Sequence, residues 1–185
     1  GCPADAHFSL QAAFSTVPAI LDAQGYFYPK ELERVISVSK AGGDFVSPLA
    51  ALGALQKLLD DNDPAKPAAD HPYVIDIGPG VYALGTTALK LIPHVLVKGA
   101  GAERTILRGL GSPTADTGLV HGADDAKLQD LSVHNTGADA FAVAIYNDGA
   151  SPQLQGVHAI AEGATSNIAL RNLNGAVPEL LRGHL

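Results

Sequence analysis

The chain has 185 residues, enough for one domain with a buried core, and its composition, 46% apolar and 17% charged, is that of an ordered protein. The net charge is −7 and the 12 Lys and Arg residues are scattered singly, which argues against nucleic acid as a partner. No apolar run reaches the roughly 20 residues needed to cross a bilayer, so we expect no membrane span. Aromatic residues make up only 5%, with no Trp or Met, so the core must be built from Leu, Ile, Val and Ala.

Residues 1–34 are predicted to form an extended, irregular arm, because Pro and Gly interrupt any long element there. Its apolar side chains, Phe8 and Phe14 among them, need a surface to pack on, either the rest of the chain or a neighbouring subunit. Cys2 is the single cysteine and cannot form an internal disulfide. It is either an incidental thiol, or a site for a cross-chain disulfide or a lipid attached on export. The absence of Met and the scarcity of charge favour export.

Residues 35–185 are predicted to form the domain, which opens with a short strand at 35–38 and a capping helix at about 47–60. Ser47 suits the N-cap, and Pro48 stands at the first helical position, where its missing N–H costs nothing. Leu residues recur at helical spacing on one face, at Leu49, Leu52, Leu55, Leu58 and Leu59. The run Asp-Asn-Asp-Pro that follows ends the helix.

Short apolar runs alternate with Gly, Pro, Asn and Asp turns in the rest of the chain. The clearest runs are 73–77, 81–82, 89–92, 95–97 and 105–107. None is long enough for a helix of ordinary length. Many short strands separated by turn residues are typical of an all-β protein.

A repeat decides which all-β architecture we expect. Residues 118–129 align without a gap with residues 144–155, at an offset of 26. A third copy keeps this offset from Leu154 to Leu180, whereas its first half needs a shift of one residue. A period in the twenties is typical of a solenoid, in which each coil covers the apolar layer of the coil before it. The sequence therefore predicts a short right-handed parallel β-helix in which Leu128, Leu154 and Leu180 lie one above another.

Asn147 and Asn172 are predicted at corners of successive coils, because Asn tolerates left-handed backbone and can hydrogen-bond to a stacked equivalent. An up-and-down antiparallel barrel is the main alternative. It would favour two-residue hairpin turns such as the single Asn-Gly of this chain, at Asn174 and Gly175. The barrel does not explain the repeat, so the β-helix is favoured.

Several segments resemble the pectinesterase type of pectin-lyase-like protein. They are the turn Gly43-Asp44-Phe45 with the helix after it, PYVIDIGPGVY at 72–82, VLVKGAG with RTIL at 95–107, and DLSVHNT at 130–136. In that family a Gly-Asp-Phe turn leads into a capping helix, and the later segments belong to successive coils. The resemblance covers roughly residues 35–147 and implies the same fold.

The resemblance also implies that the family's chemistry is missing. Leu84 stands where the motif Gly-x-Tyr-x-Glu carries its carboxylate, and Phe141 stands where Gln-Ala-Val-Ala-Leu carries a glutamine that helps to stabilise an oxyanion. No Gln-Asp-Thr-Leu segment, which would carry an acid/base aspartate, occurs in residues 150–170, and the sequence ends before a nucleophilic aspartate and a binding arginine could follow. Ester hydrolysis needs a nucleophile, a proton donor and an oxyanion stabiliser together, so we expect the chain not to be an enzyme.

Other groups are weaker candidates for chemistry. Asp124, Asp125 and Asp130 could form a carboxylate cluster for Ca²⁺ or for glycoside hydrolysis, or could be solvated corner residues. The His residues lack metal-ligand spacing, and His121 and His158 are expected at different points around the coil, so they should not stack. No dinucleotide fingerprint is complete, and we expect no cofactor.

Two functions from different classes are open. The first is a non-catalytic structural protein outside the cell or at its surface, which self-associates by head-to-tail stacking of β-helix ends and through the arm. The residues expected to contribute are Cys2, Phe8, Phe14, Leu180 and Leu185. The second is a carbohydrate-binding or carbohydrate-active module with a polysaccharide as its partner, since a long flat β-helix face suits such a chain. The scarcity of aromatic platforms argues against the second.

Overall fold

The computed structural model describes residues 34–110, 114–137 and 140–184. Outside these residues lie most of the predicted arm and four of the predicted assembly residues, Cys2, Phe8, Phe14 and Leu185. The boundary between arm and domain therefore stays a prediction. The described chain is a short right-handed parallel β-helix with one α-helix, which confirms the predicted fold class.

One helix and fourteen strands make up the described residues. The helix, α1, spans Pro48–Asp60, and no helix among the described residues is both long and apolar enough to cross a membrane. The strands in chain order are β1 Arg34–Val38, β2 Tyr73–Ile77, β3 Gly80–Gly85, β4 Leu89–Lys90, β5 Val95–Gly99, β6 Thr105–Gly109, β7 Val120–His121, β8 Lys127–Gln129, β9 Ser132–Asn135, β10 Phe141–Asp148, β11 Gln153–Gln155, β12 His158–Ala161, β13 Ser166–Leu173 and β14 Glu179–Leu181.

Each complete coil passes through three sheets in turn. Sheet 1 holds β1, β2, β5, β8, β11 and β14 in that spatial order. Sheet 2 holds β3, β6, β9 and β12, and sheet 3 holds β4, β7, β10 and β13. Every pairing between these strands is parallel, which excludes the antiparallel barrel. A strand thus pairs with its equivalent in the neighbouring coil, at the usual spacing of about 4.8 Å.

The predicted stacking of Leu128, Leu154 and Leu180 in sheet 1 is confirmed. Leu128 and Leu154 are 0% and 1% exposed in the core, because coils cover them on both sides. Leu180 lies on β14, the outermost described strand of the sheet, and is 42% exposed.

In sheet 3 the gap-free alignment of the first two copies is wrong by one residue. Val120 pairs with Ile145, and Ile145 pairs with Leu170, so both offsets are 25. The turn from β10 to β11 is one residue longer than the turn from β7 to β8, and this restores the offset of 26 at Leu154. The shift of one residue that the third copy requires is present as predicted.

Burial alternates along the strands and divides the side chains between core and surface. In β5, Val95 and Val97 are buried, whereas Leu96 is half-buried and Lys98 is exposed. The core is a set of stacked layers of Leu, Ile, Val and Ala, as the composition predicts. The outward positions of successive strands also lie in rows, because the same register holds inside and outside the solenoid.

Asn147 and Asn172 occupy equivalent corners, as predicted. Asn147 is fully buried, and its Nδ2 donates a hydrogen bond to Asn172 Oδ1 at 2.8 Å. In the preceding coil the corner holds Gly122, where a Cβ would collide with Asn147 Oδ1. A glycine at this corner is therefore what allows the larger Asn147 to be stacked beside it.

The helix α1 packs against β1, β2 and β4 and so covers one end of the solenoid. Ala51, Leu52 and Leu55 are its buried contacts, on the face that the Leu spacing predicts. Pro48 is at the start of the helix as expected. Ser47 is the N-cap residue, but its side chain makes no capping hydrogen bond; its backbone carbonyl accepts one from Ala51 N at 3.2 Å.

The outer edge of β1 is closed by the turn that follows this strand. Phe45 N donates to Ser37 O at 3.1 Å, and Ser39 N donates to Phe45 O at 3.0 Å. The Asp44 carboxylate accepts hydrogen bonds from the Ser37 hydroxyl at 2.7 Å and the Ser37 backbone N at 2.8 Å, which together lower the pKa of Asp44. Much of this edge is thus unavailable to another strand.

We expect the substitution Leu128→Ala to lower the free energy of unfolding by about 2–5 kcal/mol, because it leaves a cavity between two coils. The matched substitution Leu180→Ala removes the same atoms from the same column at a half-open position and should cost less. Urea denaturation of both variants measures the difference. Equal losses would contradict the stacked core.

Candidate functional site

The two positions at which the family resemblance expects catalytic groups lie in different sheets. Leu84 is on β3 in sheet 2 and is 3% exposed, so this position faces the core. Phe141 is half-buried at the start of β10 in sheet 3, in register with Ser166 on β13. The carboxylate and the amide of the family motif are therefore replaced here by an aliphatic and an aromatic side chain.

The structure separates the three candidate aspartates. Asp124 and Asp125 lie in the turn before β8, and Asp130 lies in the turn after it. Asp124 Oδ1 accepts a hydrogen bond from Ser151 N at 2.7 Å, and Asp130 Oδ2 accepts one from Gln129 Nε2 at 2.9 Å. Asp125 and Asp130 have left-handed backbone, with φ of 54° and 52°. All three thus act at corners, and the described ranges contain no group of three or more His, Cys, Asp or Glu placed to hold a metal.

His121 and His158 lie in sheets 3 and 2 and do not stack, as expected. The sequence reasoning missed that His158 lies against His184, with ring centroids 5.1 Å apart. The signal was available, because 184 − 158 equals the repeat offset of 26.

A second polar cluster on sheet 2 was also missed. His134 Nε2 is 2.8 Å from Glu162 Oε1, and His134 Nδ1 is 3.4 Å from a terminal nitrogen of Arg108. Arg108 and His134 are in register at an offset of 26. These groups satisfy one another on an open face, so the cluster forms a local surface network.

A groove of about 440 Å³ runs across successive coils on the sheet 1 side. Its floor holds the outward positions Val74, Leu96, Lys127 and Gln153, which the strand register places in one row. Its wall holds the residues at the preceding corners, Pro72, His94, Asp125 and Ser151. We call this feature the axial groove, because equivalent residues of consecutive coils line it along the solenoid axis.

The axial groove changes character along its length. Pro72, Val74 and Leu96 make one end apolar, whereas Lys127 and Gln153 bring hydrogen-bond donors to the other end. The wall is fixed by backbone: His94 N donates to Asp125 O at 3.0 Å, and both residues have left-handed backbone, with φ of 61° and 54°. The groove therefore offers an apolar surface beside donors and acceptors, the combination found in sites for polar organic ligands.

A separate row of polar and aromatic residues lies on sheet 3. Lys90, His121, Tyr146 and Arg171 occupy equivalent positions of β4, β7, β10 and β13. Residues 114–118, which we call the strap, lie against this row. The strap places an Asp116 carboxylate oxygen 3.3 Å from a terminal nitrogen of Arg171.

Burial and neighbouring charges shift two pKa values in this row. Burial, and then the charge of Lys90, lower the pKa of His121, although a backbone hydrogen bond from Gly118 acts in the opposite direction. Burial, and then the Asp148 and Asp116 carboxylates, raise the pKa of Tyr146. His121 therefore holds a proton less readily than an exposed histidine.

The sequence matches no protein-family model. It is similar to no curated protein. The solved structures that the chain resembles are pectin methylesterases, as the sequence resemblance predicted. Pectin methylesterase PemA from Erwinia chrysanthemi has a TM-score of 0.48 and 20% identity over 68% of this chain and 42% of its own. A pectin methylesterase mutant in complex with a hexasaccharide has a TM-score of 0.49 and 20% identity over 67% of this chain and 42% of its own. This chain thus spans less than half the length of the structures it resembles.

The lowered pKa of His121 sets the direction of one pH effect on stability. As the pH falls below the ordinary histidine value of about 6.5, the unfolded chain binds the proton before the native state does, so this group's contribution to stability is complete above that pH and is lost below it. We expect unfolding free energy, measured by urea denaturation, to fall more from about pH 7.5 to about pH 5.5 in the unaltered chain than in His121→Gln. An equal fall in both proteins would contradict this assignment.

Proposed function

We propose that this chain is a non-hydrolytic carbohydrate-binding module, exported from the cell, in which an extended polysaccharide lies in the axial groove. The observation that carries the proposal is the lining of the groove by equivalent residues of successive coils. These coils follow one another at about 4.8 Å, so the groove repeats along its length on a short scale. A linear polymer of small units is the ligand class that such a repeating groove suits.

The side chains of the groove suit the two kinds of surface that a sugar presents. The aliphatic side chains of Val74 and Leu96 can pack against C–H groups of a sugar ring. Hydroxyl groups both donate and accept, and Lys127 and Gln153 supply donors while Asp125 supplies an acceptor. The neighbouring charges of Lys127 and Asp125 are opposite, so the groove does not require a strongly charged polymer.

Binding without cleavage is supported by the residues at the family's catalytic positions. Leu84 and Phe141 can neither donate a proton nor attack an ester carbon, and the hydroxyl of Ser166 beside Phe141 has no hydrogen-bonded base in the described ranges. A nucleophile, a proton donor and an oxyanion stabiliser must converge for ester hydrolysis. We therefore propose that the β-helix serves to hold a polysaccharide rather than to modify it.

Isothermal titration calorimetry with polygalacturonate, methyl-esterified pectin and cello-oligosaccharides tests the proposal. We expect one of these glycans to bind, and Lys127→Ala and Gln153→Ala each to weaken that binding about tenfold through loss of a hydrogen bond. Lys98→Ala is the matched control, because Lys98 is an exposed lysine of the same sheet outside the groove.

Absence of binding to all three glycans, or equal affinity in the groove variants and the control, would contradict the proposed site. Methanol release from methyl-esterified pectin, or new reducing ends in any of the glycans, would contradict the non-hydrolytic role.

A second function, self-association, is favoured by the exposed strand β14. This strand pairs with β11 on one side, and Leu180 and Leu181 are each 42% exposed. Glu179 N donates to Pro152 O, and Leu181 O accepts from Gly156 N, so these two residues direct their backbone groups towards β11. In a parallel ladder the residue between them directs its N–H and C=O to the opposite edge, so Leu180 offers both groups to another strand.

The opposite end of the solenoid favours one mode of association over another. Head-to-tail stacking would bring β14 of one copy to the outer edge of β1 of the next, where Ser37 and Ser39 are already bonded to residues 44–45. Pairing of β14 with β14 of a second copy does not need that edge. Such contact uses the same surface twice and closes, so we propose a dimer rather than a filament.

Sedimentation equilibrium over a concentration series tests this second proposal. We expect a reversible dimer that Leu180→Asp abolishes, because the substitution puts a charge on the shared apolar edge. Val81→Asp is the matched control, since Val81 is an exposed β-branched residue, 45% exposed, on a different sheet. A monomer at every concentration, a dimer that survives Leu180→Asp, or filaments in electron micrographs would each contradict it.

A further inference from the structure

We propose that the strap, residues 114–118, is seated on sheet 3 while His121 is neutral, and that uptake of a proton by His121 releases its Gly118 end and uncovers Tyr146. The device is independent of the axial groove, which lies on the sheet 1 side of the solenoid.

The seat of the strap is formed by one hydrogen bond and one close contact. Gly118 N donates to His121 Nε2 at 3.2 Å. A Cβ on Gly118 would lie 2.7 Å from Tyr146 Cβ and 3.0 Å from Tyr146 N, so only a glycine can lie this close to β10. Tyr146 is 7% exposed, and its ring lies 5.4 Å from the His121 ring.

The hydrogen bond specifies the protonation state of the imidazole. A ring nitrogen that accepts a hydrogen bond has a free lone pair, so the seated strap requires a neutral His121 with its proton on Nδ1. A protonated ring carries hydrogen on both nitrogens and has no acceptor. The N–H of Gly118 would then point at another N–H, and the contact that seats the strap becomes repulsive.

The charged and titratable groups around His121 come from each neighbouring element. Lys90 on β4 is one position away in the row and opposes a second positive charge. Tyr146 on β10 lies on the other side, with Arg171 on β13 beyond it, and the Asp148 and Asp116 carboxylates act on Tyr146. Burial and the charge of Lys90 lower the pKa of His121, so release belongs to mildly acidic conditions below the ordinary histidine value.

The other end of the strap is held more loosely. Asp116 is exposed, and its ion pair with Arg171 spans 3.3 Å, a geometry that contributes little at a protein surface. Arg171 Nε is buried and has no hydrogen-bond partner among the described residues. Release of the strap would expose an aromatic ring beside a guanidinium group, a surface that is covered at neutral pH.

Hydroxyl-radical footprinting of the full chain between about pH 7.5 and pH 5 tests the device, with the His121 ring followed by NMR in the same samples. We expect labelling of Tyr146 to rise about fivefold as His121 takes up its proton, the change in population that loss of one ordinary hydrogen bond gives. The midpoint of labelling should coincide with the midpoint of the His121 ring signal.

Three variants make the test specific. His121→Gln keeps a hydrogen-bond acceptor that does not titrate, so labelling of Tyr146 should be low and independent of pH. His134→Gln removes a histidine from a different sheet and should leave the pH dependence unchanged. Asp116→Asn weakens the second attachment and should move the release towards neutral pH. Constant labelling of Tyr146 while His121 titrates, or an unchanged pH dependence in His121→Gln, would overturn the proposal.

Discussion

The structure depends on one constraint, the parallel pairing of every strand with its equivalent in the neighbouring coil. Backbone hydrogen bonds fix this register, so similar positions are stacked at the strand spacing both inside and outside the solenoid. Inside, the register produces layers of aliphatic side chains; outside, it produces the axial groove and the row on sheet 3. Where a side chain would break the stack, the chain has glycine: Gly122 lies beside Asn147, and Gly118 lies against Tyr146.

Much of this fold could be predicted because two successive repeats keep almost the same length. The offset of 26 identified the stacked column that ends at Leu180, and the Asn corners followed from it. The shift in sheet 3 was missed for the first pair of copies because a turn can gain a residue without disturbing either flanking strand. The earlier coils differ more: the floor row of the groove advances by 22 from Val74 to Leu96 and by 31 from Leu96 to Lys127. A fixed period therefore could not have identified the axial groove.

Functional residues were harder to predict because residue type is a poor guide in a solenoid. Asp124, Asp125 and Asp130 were candidates for metal binding, but the structure uses them at corners, where polar residues accept left-handed backbone or bond to the next turn. The contact of His158 with His184 obeys the repeat and could have been found by applying the offset of 26 to every histidine. The seat of the strap on His121 could not, because it joins a connecting segment to a sheet face and leaves no period in the sequence.

The proposed functions share a physical basis, since each uses a surface that stacking makes continuous. The central claim is that one polysaccharide chain contacts equivalent residues of successive coils. Mapping of backbone amide shifts by NMR during titration with the bound glycan tests this claim most directly. The account predicts perturbations at Val74, Leu96, Lys127 and Gln153, one in each of four consecutive coils on sheet 1. Perturbations confined to a single coil, or located on sheet 3, would contradict it.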